Sequence, residues 1–465
     1  MCGKGNMRWN KALYGLIAFI AVAFASTIES IRIEELIGIG LFVYVLLDFI
    51  DSIGRTYNIL DIPILLALFQ CVLMPAVVYH NFNNDPLVIA LKYDMTVSAD
   101  VYYGYMLPAI IAMTVGMKLP PIFMPSYEQR FQRAVFNVRA YLKGRGNLGV
   151  LLMLVGFVPN IFRDFVTGQI QYIVYLLSLL FYTGVLYTYF SDHKLRKWFL
   201  ISGGVVIFLQ AVTKGMFGEL VYVMLLAIQL MLLGTKIKNS LKFSLAIVGI
   251  FAVILLQSIK AEFRDITWRG IGAGNESKTE VFFNLVSGRL TELDQFADVK
   301  AMFPTINRFN QGMIVGKVLD HVPKNAPYAD GETIFVSLAA TFVPRLLWPD
   351  KPIAGGYFNM ERFAGFRIEG VSMNISPMGE AYGNYGVEGG IFFMFLYGLF
   401  FSLLIVILMN SVKNRPTLIL WFPVLFLNSV QMETDILMCL NSLIKNSIFV
   451  AFCYWAFYRF MRLKL

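Results

Sequence analysis

Two short stretches combine residue types that could do chemistry. PRLLWPDKP (residues 344–352) sets Arg345, Asp350 and Lys351 among three prolines, beside Trp348. Proline fixes φ and restricts the residue before it, so these charges are expected on a stiff, extended frame. A guanidinium held this way suits a phosphate through charge-assisted, bidentate hydrogen bonds. An indole suits a membrane interface or the face of a sugar ring. GEAYGNYG (residues 379–386) brings Glu380, a candidate general base, together with Tyr382, Asn384 and Tyr385, which could contact sugar hydroxyls. Its glycines do not make a nucleotide loop, because the GK[ST] ending is missing and no strand is expected before it. They read as a tight turn into the next helix.

Further cations stand where a membrane protein is usually poor in them. Lys214 lies in TKGMFGE, Lys260, Arg264 and Arg269 in KAEFRDITWRG, and Arg163 in NIFRD, each at the outer end of an apolar segment. Some are expected to pair with Asp164, Glu262 or Asp265. Several of them facing one cavity would make a site for an anionic diphosphate. His321, in LDHVPKN, is a second candidate base, with Asp350 beside it in rank. No HExxH, no acidic metal–nucleotide pair and no nucleophile elbow is present, so neither a metal nor a cofactor is expected. Cys2, Cys71, Cys439 and Cys453 are scattered and lie outside the polar segment that carries these motifs, which indicates no disulfide framework or zinc site.

The elements that must position these groups are apolar helices. The chain has 465 residues, of which 57% are hydrophobic and 15% charged, against about 25% charged in soluble domains. Runs long enough to cross a bilayer begin near Leu13, Glu35, Ile59, Val101, Leu148, Gln171, Phe199, Phe217, Phe243, Gly389, Leu418 and Asp435. The expected fold is therefore an all-α polytopic membrane protein of about twelve transmembrane helices. A bundle of about nine spans (1–259) precedes one large external loop (260–388), and about three spans follow (389–465). The net charge of +9 reads as topological, with no nucleic-acid partner: Lys and Arg collect in loops on one side. Those clusters are Lys4, Arg8 and Lys11; Arg130, Arg133, Arg139, Lys143 and Arg145; Lys194, Arg196 and Lys197; Lys236, Lys238 and Lys242; Lys413 and Arg415; and Arg459, Arg462 and Lys464. Single crossings put all of them, and both termini, in the cytoplasm, with the first apolar segment retained as a span. The loop 260–388 lacks that basic bias and falls outside. Within it, apolar residues from 281 to 302 share one helical face, and 334–343 is an apolar run too short to cross, expected as an interfacial or re-entrant helix. Residues 120–146 alternate basic and apolar groups at helical spacing, as does a helix lying on anionic lipid.

At PRLLWPDKP and GEAYGNYG the chain resembles the bacterial oligosaccharide repeat-unit polymerases, the O-antigen-polymerase-like membrane glycosyltransferases. They share many spans, a late external loop, and P-R-x-x-W-P-x-K-P and G-E-x-Y-x-N-x-G elements. The TKG turn is similar to a basic-Gly turn of the wider group, with lysine in place of the more usual arginine. The resemblance implies a metal-independent, inverting transfer in the bacterial inner membrane. An undecaprenyl-diphosphate-linked glycan would be the donor and a lipid-linked repeat unit the acceptor. It also implies a partner that regulates product length. Arg345, Lys351, Arg264 and Lys214 would hold the leaving diphosphate, and Glu380, ahead of His321 and Asp350, would take the acceptor proton. Two other readings stand beside it: a ligase that moves finished glycan to another acceptor, and a polytopic transporter or flippase.

Overall fold

The computed structural model describes residues 11–163, 165–166, 169–271, 276–292, 296, 298–343, 347–352, 356–366 and 373–465. Among the described residues every regular element is helical and no strand occurs. The first half contains α1 (Lys11–Ala25), α2 (Ile33–Ser52), α3 (Asp61–Asn81, with a π turn at Phe69–Leu73), α4 (Ala99–Met117), α5 (Tyr127–Leu142), α6 (Asn147–Phe162), α7 (Gln169–Phe190), α8 (Arg196–Lys214) and α9 (Phe217–Leu232). Next come α10 (Asn239–Arg269), α11 (Lys278–Thr291), α12 (Phe303–Phe309), α13 (Gln311–His321), α14 (Glu332–Phe342), α15 (Tyr357–Ala364), α16 (Ser376–Val412) and, after short turns at Pro416–Trp421 and Phe422–Phe426, α17 (Ile436–Met461).

Each apolar run expected to span falls on a helix or, near Leu418, on the short Pro416–Phe426 pair. Among the described residues seven helices are long and apolar enough to cross a membrane, and an eighth crossing results if α5 and α6, bent by 91°, count together. Helices α1 and α9 and the Pro416–Phe426 pair are apolar but short, and α2 has the length but carries Glu34, Glu35, Asp48 and Asp51. Helices of this length and composition point to a membrane protein.

Contacts between distant segments define two ends of the bundle. At one end Lys242 donates to the Asp51 carbonyl, Arg55 lies between Asp51 and Glu128, and Lys118 bridges Asp48 and Asp61. There too Arg130 reaches Asn410 and Tyr141 reaches the Lys464 carbonyl. Arg130, Lys242 and Lys464, from three of the basic clusters, thus lie at this end. Helix α5 lies here, with Phe131, Val135, Val138 and Leu142 buried and its arginines outward, the expected amphipathic pattern. At the opposite end the polar segment caps the bundle: Phe303 packs on Phe82, Phe309 on Phe69, and Asn310 on Met95. Small residues let helices approach closely where no aqueous hydrophobic force drives them together. A Cβ on Gly398 would lie 2.3 Å from the Met113 carbonyl, and one on Gly116 would lie 2.5 Å from that of Phe395, so α4 and α16 meet backbone to backbone.

The polar segment departs from its expected form in three places. The helix begun at Lys278 ends at Thr291, short of the expected Met302, because Phe282 packs among Phe208, Phe217 and Phe263 while Phe296 lies tilted against Phe251. These aromatic contacts override the local period. GEAYGNY is helical within α16 rather than a loop, buried from Gly379 to Asn384, and the backbone leaves helical geometry at Gly386, at φ 68° and ψ −158°. Trp348 to Lys351 closes a hydrogen-bonded turn of 3.1 Å, with Pro349 at the position that favours it, so the frame is not extended throughout. The short apolar run 334–343 is helical as expected: α14 buries Thr333, Ser337, Ala340 and Thr341 and leaves Phe335, Leu338 and Phe342 exposed.

Candidate active site

The distinctive feature of the capped end is a group of three cations. Lys260 and Arg264 are one turn apart on α10, the i,i+4 spacing that puts two side chains on one helix face. Arg308, on α12, lies close enough to feel the charge of both. Among the described residues no carboxylate lies within 4.0 Å of any of the three. Arg264 is held by its own neighbours: Nε donates to the Gly215 carbonyl at 3.0 Å, and the guanidinium lies 4.3 Å from the Trp268 ring. Gly215 caps α8 in the left-handed region at φ 61°, so the TKG turn serves to aim this carbonyl at Arg264.

Glu433 faces the group. It accepts from the Tyr222 hydroxyl at 3.3 Å and acts electrostatically on Lys260 from beyond ion-pair distance. Its backbone carbonyl accepts from Asn374, whose own carbonyl accepts from Gln311 at 2.7 Å. Around these groups Gln257, Asn307 and Asn374 each keep a buried side-chain oxygen with no donor among the described residues. An orphaned acceptor is costly to bury and marks a place where a hydroxyl donor would be bound with gain.

Two residues on, Asp435 belongs to a buried polar knot. It caps α17 by accepting from the Met438 N–H, and burial pushes its carboxyl above the usual range. Glu380, fully buried, accepts from the Thr333 hydroxyl and from the Ile436 N–H, each at 3.0 Å. Asn384 donates to Thr333 and to the Glu380 carbonyl, and its own oxygen accepts from the Gly331 N–H. These bonds tie α14, α16 and α17 together behind Glu433.

The residues singled out from sequence separate accordingly. Lys260 and Arg264 come together. Arg345 lies outside the described residues. Lys214 ends α8 beside the Gly215 turn. Arg269 is exposed and paired with Asp265 at 2.9 Å, and Arg163 is buried against Glu219 and Tyr175. Lys351 donates to the Val343 carbonyl at 2.9 Å, which folds the proline-rich turn back on the end of α14. Asp350 is exposed and Trp348 half-buried. Tyr382 is buried with its hydroxyl on the Val322 carbonyl, while Tyr385 is exposed at 38%. His321 ends α13 under Gly365, with Nδ1 3.4 Å from the Asn325 amide. Sequence reasoning misses Arg308, because a cation inside a polar loop carries no signal, and it does not single out Glu433. Among the described residues no cluster of His, Cys, Asp and Glu could hold a metal ion.

No curated protein and no solved structure matches this chain. Residues 39–408 match a family described as Domain of unknown function (DUF8712), and over that length the chain belongs to it.

Proposed function

We propose that this protein is a membrane glycosyltransferase that polymerises lipid-diphosphate-linked oligosaccharide repeat units into a surface polysaccharide. One observation carries the reading: Lys260, Arg264 and Arg308 lie within electrostatic reach of one another, and among the described residues none has a carboxylate within 4.0 Å, with Glu433 acting on Lys260 and Asp265 on Arg308 from farther away. Like charges kept together repel, and an anion of matching charge is what makes such an arrangement favourable. A diphosphate bears that charge, and it develops more as a glycosyl bond to it breaks.

In this reading the acceptor hydroxyl gives its proton to Glu433 as its oxygen forms a bond to the donor's anomeric carbon from the opposite face. The anomeric C–O bond to the diphosphate breaks, and its electron pair leaves on the diphosphate, which the three cations hold. The configuration inverts. The unpartnered oxygens of Gln257, Asn307 and Asn374 accept from sugar hydroxyls. Glu380, with both oxygens already bonded, positions the loop that carries Glu433. The donor and acceptor are carried on undecaprenyl diphosphate, and the twelve helical segments cross an inner membrane with the basic end in the cytoplasm and the capped end outside. That topology agrees with the gathering of Lys and Arg at one end.

The test is genetic. The gene is deleted in its native host, and wild type or Arg308→Gln is returned. Surface and lipid-linked glycans are then run on a gel. Loss of the long ladder with single repeat units remaining, restored by wild type alone, is expected. Long polymer accumulating on the lipid carrier would make the protein a ligase, and an unchanged profile would remove glycan assembly.

A further inference from the structure

At the opposite, basic end of the bundle a cavity of about 580 Å³ opens between the start of α6 and the end of α17, lined by Arg145, Asn147, Leu148, Leu151, Arg462, Leu463 and Lys464. Its volume falls within the roughly 300–1,000 Å³ typical of small-molecule sites. Among the described residues none of its three cations has a carboxylate within 4.0 Å. The cavity is built from two chain segments that the fold pins together. The Tyr141 hydroxyl donates to the Lys464 carbonyl at 2.9 Å, and the Arg145 guanidinium stacks 4.4 Å from the Tyr141 ring. Arg462 adopts the left-handed conformation that ends α17, which turns the chain back across the mouth.

Away from the cavity both helices continue with exposed apolar side chains. On α6 these include Leu154 and Val158, and on α17 Phe452, Trp455 and Tyr458. The wall is therefore cationic at the mouth and apolar beyond it, with aromatic side chains near the boundary. Free phosphate would use only the mouth. A lipid uses both parts, its phosphate among the cations and its chains along the helix faces.

We propose that this cavity is a binding site for an anionic phospholipid, held by Arg145, Arg462 and Lys464. The site stands apart from the cation trio at the other end and does not rest on the glycosyltransferase reading.

The experiment uses the full-length protein in nanodiscs of phosphatidylcholine containing phosphatidylglycerol, released for native mass spectrometry. Wild type is expected to retain phosphatidylglycerol in preference to phosphatidylcholine. The R145A/R462A/K464A variant loses that preference, and each single change weakens binding about fivefold, the equivalent of about 1 kcal/mol per cation. Arg133→Ala, an exposed cation on α5 outside the cavity, leaves retention unchanged. So does the R145K/R462K variant, which also guards against a folding defect. Equal retention by wild type and the triple alanine variant, equal retention of the zwitterionic lipid, or displacement of the lipid by millimolar inorganic phosphate would each overturn the proposal.

Discussion

Arg308→Gln should separate activity from stability. Among the described residues Arg308 makes no side-chain hydrogen bond and has no carboxylate within 4.0 Å; it feels Lys260 and Arg264, and Asp265 from farther away. Removing its charge relieves repulsion, so the unfolding temperature should stay level or rise. If it holds a leaving diphosphate, the same change removes a charge-assisted hydrogen bond worth about 1.5–3 kcal/mol. At 1.36 kcal/mol per tenfold, that is a loss of about 10- to 150-fold in kcat/KM. Arg264→Gln supplies the contrast. It also loses the 3.0 Å bond to Gly215 and the stacking on Trp268, together about 2–4 kcal/mol of stability. Elongation would be followed in proteoliposomes supplied with the lipid-diphosphate-linked repeat unit, with thermal unfolding measured on the same preparations and undecaprenyl diphosphate retention read by native mass spectrometry. Arg308→Gln that elongates and binds within threefold of wild type would refute the reasoning. So would activity that falls only in step with unfolding temperature.

Other consequences follow from particular contacts. Glu380→Ala should lower the unfolding temperature, since the buried Ile436 N–H and Thr333 hydroxyl lose their acceptor at about 1–3 kcal/mol per orphaned group; a role as base would instead abolish elongation with no loss in a melt. Gly398→Val puts side-chain atoms into the Met113 backbone and should cost about 1–3 kcal/mol of overpacking, whereas Gly204→Ala, which meets nothing within 4 Å, should be neutral in the same thermal assay. Lys351→Met removes the tether to the Val343 carbonyl and should raise the rate of proteolytic cleavage in the proline-rich turn while leaving the global unfolding temperature within a few degrees.

The apolar helical segments were legible in the sequence, because each is set by local composition and by the length of an apolar run. Lys260 and Arg264 were singled out from their place at the end of an apolar run, together with Arg269, which the fold pairs with Asp265 instead. Side-chain chemistry also singled out Glu380. What the residues could not disclose is which groups meet across the chain. Arg308 joins the trio only because Phe303 and Phe309 anchor α12 on Phe82 and Phe69. Glu380 is closed off, and Glu433 left facing the cations, only because α14, α16 and α17 converge on one polar knot. Local pattern decides which face of a helix is polar; burial and partnership depend on segments distant in sequence, so tertiary packing alone decided which charged residues stand beside one another.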